Sequence, residues 1–150
     1  MEESLNKKLN YKIEFDSDKA LSPHDVSSKY SPLALAYIGD SIFDLYIKSH
    51  FVLDANMQPE KYHRIVSKIV SANAQERFVD SYFDKLTEEE QAVYRRARNS
   101  SPHTKAKNAT LETYLKATGF EAVLGYLYLS EQNERLHEII EEALDIVNKL

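Results

Sequence analysis

Asp40 and Glu121 are acids set in apolar surroundings. Asp40 is the only charged residue between Lys29 and Asp44, and Glu121 is the only one between Lys116 and Glu131. A carboxylate on a buried helix must be paired, coordinate a cation or take up a proton. Neither segment offers a Lys or Arg close in sequence. Two such acids brought together suit Mg²⁺, a hard ion that takes oxygen ligands and keeps several waters. Such an ion can activate water and stabilise charge at a phosphate. Asp44 follows Asp40 by four residues and so shares its helical face, either as a further or outer group of the site or as an ordinary helix-face charge. The residues alone leave a second account open, in which each acid pairs with a Lys or Arg from elsewhere in the chain.

The glycines support convergence. The chain has three, and Gly39, Gly119 and Gly125 all lie within four residues of Asp40 or Glu121. Glycine inside a helix costs about 1 kcal/mol relative to alanine. Its concentration here predicts close backbone approach, and two helices crossing at Gly39 and Gly125 would bring the acids together.

A third feature is cationic. No acid occurs from Gln91 through Leu111, whereas Arg95, Arg96, Arg98, Lys105 and Lys107 do. With Asn99, Ser100, Ser101 and Thr104 beside them, these residues are the candidates for phosphate contacts; the alternative is a solvated charge run. The net charge of −5 argues against general affinity for polyanions, but the negative surplus lies elsewhere: residues 131–150 hold six acids against Arg135 and Lys149. The five histidines show no metal-binding spacing. His24-Asp25 has the dipeptide of HD-type phosphohydrolases but follows Pro23 in an expected loop.

The elements that must carry these residues are helices. Glycine and proline are few, with 3 and 4 in 150 residues, and the apolar periodicity is helical. Ser31-Pro32 opens a helix that is apolar nearly all round and is therefore expected to be central and buried, ending near 52–56. A second helical run starts at Pro59, with a break near Asn73. Thr87 and Glu90 form a capping box for a helix reaching about Arg98, followed by a loop. A helix over about 109–129 carries Glu121, and Ser130 is expected to cap the last helix, which ends near Lys149. The reading is one all-α domain over 23–150 after an N-terminal arm, 1–22. Cysteine is absent, which excludes disulfides and thiolate metal sites. No signal-peptide-like or membrane-spanning run is visible, so no membrane partner is expected and a cytoplasmic, reducing setting fits.

The segments AYIGDSIFDLYI and ATGFEAVLGYLYL resemble the signature helix and second catalytic helix of the ribonuclease III family. With the RARN…KAKN loop, and without a double-stranded-RNA-binding domain, the chain is most similar to the Mini-ribonuclease III branch. The resemblance covers about 31–130. It implies an endonuclease-type helical domain that cleaves double-stranded RNA with Mg²⁺, Asp40 and Glu121 being catalytic and metal-binding. Tyr37 matches an aromatic that packs into a partner subunit, implying a homodimer. The branch's role is trimming precursor 23S ribosomal RNA, with a ribosomal protein presenting the RNA as a further partner to consider. The family's other signature acids fall on Leu33, Ala36 and Thr118, a reduced pattern shared with the Mini-ribonuclease III branch. Two rivals are a non-catalytic RNA-binding or ribosome-associated dimer of this fold, and an HD-like nucleotide phosphohydrolase using His24 and Asp25.

Overall fold

The computed structural model describes residues 21–100 and 110–148, with side chains through residue 146. Seven α-helices are formed there: α1 (Pro23–Lys29), α2 (Pro32–Asp54), α3 (Pro59–Val70), α4 (Ala72–Tyr82), α5 (Glu88–Arg98), α6 (Leu111–Leu129) and α7 (Asn133–Asn148). A 3₁₀ turn, Phe83–Lys85, separates α4 from α5. The described residues contain no strand, as an all-α domain requires.

Local chemistry sets the helix ends. Ser31 accepts a hydrogen bond from the Ala34 amide at the start of α2, with Pro32 following it. Thr87 and Glu90 close the expected capping box on α5. The break in the second helical run falls at Ser71 rather than near Asn73. Ser71 caps α4 by accepting from the Ala74 amide. Ser130 does not cap α7: its hydroxyl donates back to the Tyr126 carbonyl at the end of α6, and α7 begins at Asn133. His24 and Asp25 lie in the first turn of α1 rather than in a loop, because Ser22 caps that helix and Pro23 stands at its start.

The central helix is α6, whose residues 117–120 and 122–128 are all buried. It packs against α2, α5, α4, α7 and α1. Helix α2 runs antiparallel along α6, but its expected burial is only half met. Leu35, Phe43 and Ile47 are buried, while Leu33, Tyr37, Leu45, Val52 and Leu53 are exposed. Apolarity on every face does not show that the same chain covers each one.

A buried ion pair ties α7 to α5. Glu90, almost fully buried, accepts hydrogen bonds from Arg135 Nη2 at 2.9 Å and from Arg135 Nε, shared between both carboxylate oxygens at 3.0 and 3.3 Å. Arg135 also donates to the Lys85 carbonyl, and Glu90 accepts from the Thr87 amide. With these groups satisfied, the buried charges are tolerated.

Candidate active site

The crossing of α2 and α6 is a backbone contact. A β-carbon on Gly39 would overlap the Glu121 carbonyl oxygen and lie 2.9 Å from the Gly125 nitrogen. One on Gly125 would overlap the Leu35 carbonyl. Gly125 and Glu121 are four residues apart and share the face of α6 turned to α2. Gly119 has a different task, since it makes room for the Tyr94 ring of α5.

This contact places Asp40, the neighbour of Gly39, beside Glu121. The Asp40 carboxylate acts directly on that of Glu121. Asp40 is exposed and Glu121 half-buried, so the pair lies at the edge of the helix crossing. Burial raises the Glu121 pKa first, and Asp40 raises it further, bringing it to about 8. Among the described residues neither acid forms an ion pair. The account in which a distant Lys or Arg neutralises each acid therefore finds no support there.

The third member of the site is Gln75 of α4, a residue that the sequence did not single out. It is 3% exposed. Its Nε2 donates to the Val70 carbonyl at 3.0 Å and to Glu121 Oε2 at 3.4 Å. Its Oε1 is buried without a hydrogen-bond partner. A polar residue in the ANAQERFV segment was a weak signal, and only the fold reveals the company it keeps.

Asp44 is half-buried and pairs with Lys48 at 2.8 Å. The described residues contain no cluster of three or more His, Asp or Glu able to hold a metal ion. Thr118, at one of the missing signature acids, donates its hydroxyl to the Tyr114 carbonyl. Tyr37 is 80% exposed on the uncovered face of α2. Among the described residues His24 and Asp25 gather no ligand set; Asp25 pairs with Lys29 at 3.5 Å.

The expected cationic cluster is divided by its helix. Arg95 lies over the Phe83 ring, Arg96 donates to the Ser27 carbonyl at 2.6 Å, and Arg98 approaches Glu112 at 3.9 Å. Arg95 and Arg96 are exposed and Arg98 half-buried. Lys105 and Lys107 lie outside the described residues. A second cationic face is formed by Lys61, Arg64 and Lys68 of α3, all exposed. That helix ends at Val70, whose carbonyl Gln75 holds.

Comparison with known proteins identifies the family. Residues 33–132 match the Ribonuclease III domain model. The chain is 44% identical over 110 residues to Mini-ribonuclease 3 of Streptococcus pneumoniae, covering 72% of this chain and 86% of that one. It is 46% identical over 110 residues to the Enterococcus faecalis protein of the same name, covering 72% and 83%. For the Staphylococcus aureus one the identity is 39% over 121 residues, covering 79% and 90%. A crystal structure of a Fusobacterium nucleatum protein superimposes with a TM-score of 0.71 at 31% identity, covering 78% of this chain and 89% of that one. With the Ribonuclease III domain match spanning residues 33–132 and these relatives at 39–46% identity, the chain belongs to the ribonuclease III family, beside the Mini-ribonuclease 3 proteins.

Proposed function

We propose that this protein is a Mg²⁺-dependent endoribonuclease that cleaves double-stranded RNA, with Asp40 and Glu121 as its catalytic, metal-holding carboxylates. The observation that carries this reading is the acid pair at the glycine crossing, without a cationic partner among the described residues. Two adjacent carboxylates fit a hard divalent cation. Burial and the Asp40 charge both raise Glu121, and a cation there would offset both; the Gln75 Oε1 is a buried acceptor without a donor among the described residues.

When bound, Mg²⁺ would supply positive charge at the scissile phosphate. Asp40 and Glu121 would hold it, and Asp44 would act from one turn along α2. Water adds to phosphorus while the bond to the 3′-oxygen breaks, and the proton balance leaves a 5′-phosphate and a 3′-hydroxyl. A homodimer through the outer face of α2, with Tyr37 in the interface, would present two sites to the two strands. Recognition would be through shape and backbone, since A-form RNA hides its base edges in a deep groove. Arg95, Arg96, Arg98, Lys105 and Lys107, with the α3 face, are the proposed phosphate grips. The cellular reading is cytoplasmic maturation of precursor 23S ribosomal RNA, with a ribosomal protein as the presenting partner. No described helix is long and apolar enough to cross a membrane.

The test is cleavage of a long RNA duplex with and without Mg²⁺, comparing the parent with Asp40→Asn. Metal-dependent cleavage by the parent and loss of at least roughly a hundredfold in the variant is expected, as for removal of a group central to transition-state charge. Duplex binding without cleavage would establish the non-catalytic dimer instead, and equal cleavage by both would move the site elsewhere.

For the phosphate grips, replacing Arg95, Arg96 and Arg98 together by alanine should weaken duplex binding. It should also flatten the dependence of log affinity on log salt, because fewer counterions are released. An unchanged slope would reassign these arginines to the intramolecular contacts they make with Gln91, Ser27 and Glu112.

A further inference from the structure

We infer that Gln75 is a positioning residue of the acid site, fixing the Glu121 carboxylate with its amide nitrogen and offering its amide oxygen to a water held beside that carboxylate. The inference rests on Asp40 and Glu121 being an ion-binding pair.

The orientation of the amide follows from its partners. The Val70 carbonyl can only accept a hydrogen bond, so the group facing it is the NH₂. That nitrogen is shared with Glu121 Oε2. A backbone carbonyl at the end of α3 therefore anchors Gln75, and Gln75 links that anchor to the acid. Covalent geometry then puts Oε1 next to Nε2, close to the same carboxylate, with no donor among the described residues. A buried acceptor left without a donor is costly, on the order of 1–3 kcal/mol. Gln75 is buried on the same face of α4 as Phe78 and Val79. An amide there makes sense when the donor arrives with the ion and its waters. Groups that orient metal-holding side chains in this way typically change metal affinity or activity by roughly ten- to a hundredfold when removed.

Four proteins separate the outcomes: the parent, Gln75→Leu, Gln75→Met of similar length, and Glu121→Gln. Mn²⁺ affinity is measured by electron paramagnetic resonance without RNA. Thermal unfolding of the metal-free proteins and the Mg²⁺ concentration for half-maximal duplex cleavage complete the set. Gln75→Leu and Gln75→Met are expected to bind Mn²⁺ roughly ten- to a hundredfold more weakly and to need correspondingly more Mg²⁺, whatever the change in metal-free Tm. If both variants lose Tm while Mn²⁺ affinity and Mg²⁺ demand stay at parental values, Gln75 is a packing residue and the inference is overturned. If Glu121→Gln binds Mn²⁺ weakly but both Gln75 variants match the parent, only the inference is overturned. If parent and Glu121→Gln bind Mn²⁺ equally, the ion-binding reading of the pair falls, and the inference with it.

Discussion

Gly39→Ala is expected to unfold most of the protein's stability and to abolish any activity that depends on the acid pair. The added methyl group would occupy the space of the Glu121 carbonyl, 2.7 Å from its carbon and 2.9 Å from the Gly125 nitrogen. Overpacking a core by extra carbons costs typically about 1–3 kcal/mol when side chains can yield. Here the obstruction is the backbone of the central helix, which has no flexible end to swing aside. Alanine's better helix propensity returns only about 1 kcal/mol. The net loss should exceed about 4 kcal/mol, a magnitude reserved for such specific mechanisms. Gly119→Ala is the contrast. Its methyl group would press on the Tyr94 ring at 2.6 Å, a side chain that can shift, so a loss of roughly 1–3 kcal/mol is expected. Urea unfolding of the two variants checks this. A Gly39→Ala protein as stable as Gly119→Ala would mean that α2 and α6 do not meet through their backbones.

The same glycines explain why part of the site was legible in the sequence. A glycine inside a helix needs a reason, and Gly39 and Gly125 had no neighbours that demanded a turn. Their positions beside lone acids predicted the crossing that the structure contains. Helix starts were legible for a similar reason: Ser31, and Thr87 with Glu90, act on amides three residues away. Features set by distant partners were not legible. Gln75 draws its meaning from Glu121, 46 residues on. Asp40 and Glu121 looked alike as isolated charges, yet one is exposed and the other half-buried, because only Glu121 sits on the innermost helix. Ser130 carries the residue type of an N-cap, but its hydroxyl turned back to Tyr126, and the chain needed a left-handed residue, Glu131 at φ 61°, before α7 began. The uncovered face of α2 shows the same limit: a sequence displays apolar surface without saying which molecule covers it.

Glu121→Gln is expected to abolish RNA cleavage while making the metal-free protein more stable at pH 8. In the fold, burial and Asp40 raise the Glu121 pKa from 4.5 to about 8, so the native state holds a proton that the unfolded chain has lost. Stability therefore falls as pH rises from 4.5 to about 8, by at most about 1.4 kcal/mol per pH unit. The penalty is absent below the unfolded value and fully present above the folded one. Glutamine keeps the shape and carries no charge to desolvate, so the variant should lack this part of the pH dependence. Parent and variant should coincide near pH 4 and separate by a few kcal/mol at pH 8. Adding Mg²⁺ at pH 8 should return stability to the parent alone, since a ligand stabilises only the state that binds it. Thermal unfolding in a chelator, then in Mg²⁺, measures both effects. Parallel curves for parent and variant across pH 4 to 8 would show that the Glu121 carboxyl is not desolvated. A variant that cleaves RNA would show that its charge is not needed. The expected combination, a more stable protein without activity, is the mark of a site whose charges are held together for an ion that the fold alone does not supply.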